Sequence, residues 1–283
     1  MTDPLRVLVL GDSTAFTDAD GPQLPDTPHL YPQVLRRHLA DRLEQDVEVV
    51  VVAQPGATVR EALRAVTKDR HIQFDLLAHA DAVVVGIGSF DHAPAGVPPA
   101  VQAVVPYLRP TRVRRRVRST LHGLYPRIVR LRRGRGSRTP RSEFARLYGE
   151  LLDHLRSITW GRAAGVALGP ISHHSAYYGH LHPGHPGAEA RQLGLARQRG
   201  FATIATWPLI QRHLAELNSD GIHWPRSVHE AVGVAAADAL VPQLTGASPL
   251  PGLPDAAARA LAAHAAAADE HVPPDSAARP EGA

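Results

Sequence analysis

The chain alternates between two hydrophobic periods. Apolar runs rich in Val, Leu and Ile, at 5–10, 47–52, 82–87, 165–168 and 202–206, have the length of buried strands. Between them, apolar residues recur every three to four positions, as on the inner face of a helix. Over Tyr31 to Leu43, for example, Val34, Leu35, His38, Leu39 and Leu43 fall near one face. Further helices are predicted after the capping-box pattern Thr58-Val59-Arg60-Glu61, over about 142–158, after 185, and over 208–217 and 227–240. Strands and helices in strict alternation predict a parallel sheet covered by helices on both faces, a three-layer α/β sandwich.

Two segments break the alternation. Residues 94–141 open with prolines and continue as an arginine-dense stretch. Val113, Val117, Leu121, Leu124, Ile128 and Leu131 fall at helical spacing, with arginines on the other face. This predicts a basic amphipathic helix, broken near Pro126, followed by a flexible Gly134–Ser137 loop. An insertion after the third strand emerges on the carboxyl side of the sheet. Such a helix is either a solvated surface element, a cap whose arginines meet phosphates or a carboxylate, or a surface for nucleic acid or anionic membrane. The second segment, 245–283, is rich in Ala, Pro and Gly and is predicted to be a disordered tail, with a short alanine helix near Asp255 to Ala268. The domain expectation is one catalytic unit over 1–244, with the helical cap at 94–141, and a tail.

Composition narrows the class. The 283 residues are 44% hydrophobic, enough for a full core, and contain no cysteine. Disulfides, thiolate nucleophiles and cysteine-bound metals are therefore excluded. The N-terminus lacks a signal-peptide pattern and no apolar run reaches spanning length, so a cytoplasmic location without stable membrane insertion is expected. The formal charge is +4, and Lys68 is the only lysine. Arginine in such excess suits bidentate recognition of carboxylate or phosphate.

Four short stretches carry candidate chemistry: Gly11-Asp12-Ser13, Gln54-Pro55-Gly56, Gly88-Ser89-Phe90-Asp91 and Asp220-Gly221-Ile222-His223. In an open parallel sheet the loops after the strands converge on one crevice. A serine needs a base to accept its proton, and a histidine titrating near neutrality suits that role. Asp220, three residues earlier, is placed to orient His223. Gly56 has no Cβ, so its amide can approach a developing oxyanion, with the Ser13 amide as a second donor. The histidine-rich loop at 172–185 contains no Asp or Glu and fits no zinc spacing, so neither a metal nor any other cofactor is expected.

These blocks, in this order, resemble the SGNH hydrolase superfamily, also called GDSL-type esterases and acyltransferases, over about 5–244. The resemblance implies a five-stranded sheet of flavodoxin-like order, Ser13 as nucleophile, His223 as base, Asp220 as its partner, and Ser13 and Gly56 as oxyanion donors. It also marks a departure. The superfamily usually has Gly-x-Asn-Asp after the third strand, whereas Phe90 stands here at the Asn position and donates no hydrogen bond. Gly86-Ile87-Gly88-Ser89-Phe90-Asp91, Ala95-Gly96, Pro106-Tyr107-Leu108-Arg109-Pro110 and the block running from Asp220 to Trp224 are similar to the diglucosylglycerate octanoyltransferase subgroup of methylglucose lipopolysaccharide biosynthesis. That likeness implies an acyl-CoA donor, a glucosylglycerate-type acceptor and no nucleic-acid partner, and it leaves the oligomeric state open. Asp12, Gln54, Phe90, Asp91, His173, His174, Tyr177 and Trp224 are the candidate substrate contacts. An esterase or deacylase of the same mechanism, and a non-catalytic basic protein binding nucleic acid or membrane, are the alternative readings.

Overall fold

A computed structural model describes residues 3–95, 107, 109–173, 175–217 and 221–247. Its organising element is strand β1 (Leu5–Gly11), whose side chains alternate between two cores. Val7 and Val9 join one hydrophobic cluster, and Leu8 and Leu10 the other. Burial on both faces is why this strand reads as a continuous apolar run.

β1 pairs in parallel with β4 (Val47–Ala53) on one side and β5 (Ala82–Gly86) on the other. β6 (Ala164–Leu168) and β7 (Ala202–Ile204) extend the sheet beyond β5. The order β4-β1-β5-β6-β7 is the expected flavodoxin-like arrangement, since these five strands stand second, first, third, fourth and fifth along the chain. β4 lies at the sheet edge and is mostly half-buried, so it is not the fully buried strand that its valines suggest.

Helices α1 (Tyr31–Leu43) and α8 (Arg226–Leu244) cover one face of the sheet. On the other face lie α2 (Val59–Lys68) and α5 (Arg141–Ile158). α2 begins with the expected capping box: the Glu61 carboxylate accepts from the Thr58 amide at 2.8 Å, and Thr58 Oγ1 accepts from the Glu61 amide at 3.4 Å. α6 (His185–Gln198) follows β6.

Several expectations are corrected. The stretch after Ser13, where no element is predicted, contains a two-stranded antiparallel ribbon, β2 (Thr17–Asp18) and β3 (Gly21–Pro22). A π-helical turn at His71–Leu77 had no signal in the pattern. The helix expected over 208–217 is a short α7 (Trp207–Gln211) followed by a 3-10 turn at Leu214–Glu216.

The insertion begins after α3 (Ser89–His92) and carries α4 (Thr111–Leu131). α4 runs through Pro126 without a break. It is pinned by packing: Leu121, Tyr125, Ile128 and Val129 cluster with Phe90, Ala93, Tyr178 and Ile222. The Tyr125 hydroxyl also donates to the Pro94 carbonyl at 2.7 Å. The loop expected to be flexible is instead stitched down. Pro94 and Ser137 form a bridge, and the Arg138 amide donates to the Ala93 carbonyl at 3.2 Å. The middle of the insertion, 96–106, and the alanine helix expected in the tail lie outside the described residues.

Candidate active site

Strand register sets the site. Gly11 aligns with Ala53 on one neighbour and Gly86 on the other. Ser13 therefore follows the common level by two residues, and Gly56 and Ser89 by three. All three emerge on the carboxyl edge, where open α/β sheets bind ligands.

Ser13 opens a 3-10 turn, Ser13–Ala15, capped by Asp12. Asp12 Oδ1 accepts from the Thr14 amide at 2.9 Å and from its hydroxyl at 2.8 Å. Asp12 is buried, which raises its pKa; hydrogen bonds from Thr14 and the nearby His223 pull the other way. Its carboxylate thus shapes the turn and is not presented to solvent. Ser13 itself is half-buried, and His223 Nε2 lies 3.0 Å from Ser13 Oγ. That is hydrogen-bond distance across 210 residues of chain, with both groups still reachable from solvent.

The turn carrying His223 is held from two sides. Trp224, the next residue, is 2% exposed and packs at an angle against the rings of Tyr31 and His229. It also bridges Asp18 of the β2–β3 ribbon. Trp224 is therefore packed in the core beside the histidine, and of the two roles open to it, packing and a substrate contact, its burial fits packing. Asp220 lies outside the described residues.

Gly56 sits at φ +64° with the Phe90 ring against it: a Cβ there would meet Phe90 Cε1 at 3.2 Å. The position thus needs glycine for conformation and for space. Gln54 is exposed and starts the turn, its carbonyl accepting from the Ala57 amide at 3.2 Å. Phe90 is half-exposed and carries the Arg138 guanidinium over its face, with Cζ 4.1 Å from the ring centroid. An arginine from the insertion is thereby brought to the residue where an oxyanion donor was anticipated.

Asp91 is not at the surface of the crevice. Its Oδ2 accepts from the Val59 amide at 2.8 Å and its Oδ1 from the Thr139 hydroxyl at 2.6 Å. Burial pushes its pKa up to about 6 against those two hydrogen bonds. The side chain clamps the start of α2 to the end of the insertion.

The histidine-rich loop is likewise architectural. His173, 2% exposed, donates from Nε2 to the Ser89 carbonyl at 2.8 Å. His182 Nδ1 accepts from the His173 amide at 3.1 Å, while its Nε2 donates to the His92 carbonyl at 2.8 Å. His185 Nε2 donates to the Pro170 carbonyl at 2.7 Å. Burial drives the pKa of His182 down to about 2 and that of His92 to about 3, so both rings are neutral. No cluster able to hold a metal ion occurs among the described residues. His174 and the side chain of Tyr177 lie outside them.

The motifs gave no hint of Gln192. Its Nε2 donates to the carbonyls of Ile87 and Leu168, both at 2.9 Å, tying two strand ends together. Gly88, at φ +124°, passes so close that a Cβ would lie 2.2 Å from Gln192 Oε1. Ser89 Oγ accepts from the Ile171 amide at 3.1 Å and completes this brace. Arg138 and Thr139 were also unmarked. All depend on contacts far apart in sequence.

No protein-family model matches the chain. It is 29% identical over 228 residues to the diglucosylglycerate octanoyltransferase of Mycolicibacterium hassiacum, covering 80% of this chain and 90% of that protein. To the Mycobacterium tuberculosis protein of the same name it is 28% identical, over 80% of this chain and 88% of the other. Among solved structures it is similar to a lipase/acylhydrolase from Enterococcus faecalis, with TM-score 0.53 and 14% identity over 84% and 95% of the two chains. A GDSL-like lipase from Parabacteroides merdae gives TM-score 0.54 at 11% identity, over 84% and 97%. The chain thus has the SGNH hydrolase fold and resembles the octanoyltransferases in sequence. Fold and relatives together make it an enzyme. None of its described helices is long and apolar enough to cross a membrane.

Proposed function

We propose that this enzyme is a serine-dependent acyltransferase that moves a medium-chain acyl group, octanoyl, from acyl-CoA to a sugar hydroxyl of a glucosylglycerate-type acceptor. The observation that carries the chemistry is the 3.0 Å approach of His223 Nε2 to Ser13 Oγ at the carboxyl edge of the sheet. The octanoyl group and the kind of acceptor are taken from the names of the relatives, and acyl-CoA is our assignment of the donor.

In the first half-reaction Ser13 Oγ attacks the thioester carbonyl as His223 takes its proton. Negative charge develops on the carbonyl oxygen, facing the Ser13 and Gly56 amides. The C–S bond then breaks, His223 returns the proton to the departing thiolate, and an acyl-serine remains. In the second half-reaction a sugar hydroxyl attacks that ester while His223 removes its proton. The intermediate collapses, and the proton passes to Ser13 Oγ. Asp220, three residues before the base, is assigned to hold the imidazole Nδ1 and to stabilise the imidazolium.

Transfer over hydrolysis requires that the acceptor be positioned and water excluded. We assign this to the insertion over 94–141, acting as a cap on the catalytic unit. Its helix α4 packs against Phe90 and Ile222, which flank the oxyanion glycine and the base. Asp12 and Asp91 are assigned to hold the site in shape, and Gln54 and Phe90 to line it. We place the reaction in the cytoplasm.

The test is incubation with octanoyl-CoA, with and without glucosylglycerate, followed by product identification. Octanoylated acceptor is expected, and none from Ser13→Ala. Free octanoate as the sole product in the presence of acceptor would instead make the protein an esterase. Failure of Ser13 to react with a fluorophosphonate probe would remove the nucleophile assignment.

A further inference from the structure

A cavity of about 360 Å³ opens between the 134–137 loop and the start of α6. Arg135, Arg141 and Arg191 line it, together with Gly184, His92 and His182. The walls are fixed. Gly134, at φ +65°, packs so tightly on the 181–183 segment that a Cβ would lie 2.8 Å from Pro183 Cδ and 2.9 Å from the Leu181 carbonyl. His182 is tied to the His92 carbonyl on the opposite wall.

The charge in this cavity is unbalanced. Among the described residues none of the three arginines forms an ion pair. None of the described residues lining the cavity is acidic, and Glu143, two residues from Arg141, is paired with Arg60. Glu189, on α6, packs against Gly169 and does not line the cavity. The α6 N-terminus, at Gly184, has no side-chain cap and adds the positive end of its dipole. The two histidine rings in the wall are held neutral by burial, so the charge of the cavity at neutral pH comes from the arginines. Three guanidinium groups around a concavity without a counter-ion match a multiply charged phosphate better than any neutral ligand.

The cavity also communicates with the reaction centre. Ser137 lines it, the next residue Arg138 stacks on Phe90, and Phe90 touches Gly56. We propose that this arginine cavity binds the phosphate groups of the thioester donor, leaving the pantetheine arm to run past Arg138 and Phe90 to Ser13. The inference rests on the acyl-CoA reading above and names the subsite that would make it specific for a phosphorylated carrier.

The test separates the two. The full-length Ser13→Ala protein is titrated calorimetrically with CoA, 3′-dephospho-CoA and pantetheine, with and without Arg141→Gln plus Arg191→Gln. Both arginines are exposed, so the substitutions leave the core intact. CoA affinity is expected to fall by about 10-fold or more in the arginine variant, because charge-assisted hydrogen bonds are lost. Pantetheine affinity is expected to stay the same. In active protein the same pair of substitutions raises KM for octanoyl-CoA but leaves that for octanoyl-N-acetylcysteamine, which carries no phosphate. Equal CoA affinity with and without the arginines overturns the site, even if octanoyl transfer proceeds. Loss of CoA affinity in the variant, without turnover of either thioester, keeps the site and overturns the transfer reaction. The Arg141→Lys plus Arg191→Lys protein, which keeps the charge, is expected to recover part of the affinity; no recovery together with a lowered melting temperature would mark the effect as structural and overturn the site.

Discussion

The carboxyl edge of this sheet carries two kinds of histidine. His223 is partly exposed and points Nε2 at a hydroxyl 3.0 Å away. His92, His173, His182 and His185 are all under 10% exposed and crowd together in the segments that follow β5 and β6. Three of these rings donate to backbone carbonyls, of Ser89, His92 and Pro170. An imidazole buried among other imidazoles cannot accept a second proton cheaply, and its N–H serves as a fixed hydrogen-bond donor. The same side chain thus faces a hydroxyl, as the proposed base must, where water reaches it and serves as mortar where water does not.

The largest expected difference lies in catalysis. His223→Ala and Ser13→Ala should each lower acyl transfer by about 10³-fold or more while leaving the melting temperature nearly unchanged. Turnover and thermal melts on the same samples check both halves. If His182→Ala proves as damaging to the rate per folded molecule as His223→Ala, the division between the two groups is wrong.

His182→Ala should act on stability instead. It removes the donor to the His92 carbonyl and the acceptor for the His173 amide, and leaves a cavity. A loss of about 2–4 kcal/mol is expected from urea unfolding.

Acid sharpens the contrast. His182, His92 and His229 have folded pKa values of about 2, 3 and 4, all below the ordinary histidine value. The unfolded chain therefore binds more protons than the folded one below about pH 6.5, and stability falls as pH drops through that point. Asp91, raised to about 6, works in the opposite direction, because its folded form holds a proton that the unfolded form releases. Burial raises Asp12 as well. Three histidines against two carboxyls leave a net loss on acidification. Melting temperatures between pH 7.5 and 4.5 should decline, and the decline should be shallower in His182→Gln. A stability that rises towards pH 5 would contradict the burial of these rings.

The smallest effect concerns Phe90. Phe90→Leu keeps an apolar contact with Gly56 but removes the ring beneath Arg138. A change of about 0.5–1 kcal/mol is expected, the size of an exposed cation–π contact, with a modest rise in KM. Gly56→Ala, in contrast, forces a left-handed backbone and crowds the same ring, so it should cost about 1–3 kcal/mol and also slow the reaction.

Much of this was legible before folding was considered. Ser13 after β1, Gly56 after β4 and the capping box of α2 are products of local turn chemistry, while the strand order is implied by the resemblance to the SGNH hydrolases. The same reasoning makes Asp91, His173 and Trp224 candidate substrate contacts without separating contact from packing or site-ordering roles. Each is placed by its loop at the carboxyl edge of the sheet, and that placement does not fix burial. Burial depends on which surfaces meet, and those surfaces come from distant segments: Val59 and Thr139 around Asp91, Ser89 and His182 around His173, Tyr31 and His229 around Trp224.

The amino-acid sequence by itself determined the alternation of strands and helices, the glycine-permitted turns and the chemical types available at the sheet edge, because periodicity and turn preference act over a few residues. Only the tertiary structure decided which histidine meets the serine, which ones are sealed in the wall, and that an arginine from the insertion rests on Phe90. Those outcomes depend on water access and on approach between segments tens to hundreds of residues apart, and no local pattern encodes either.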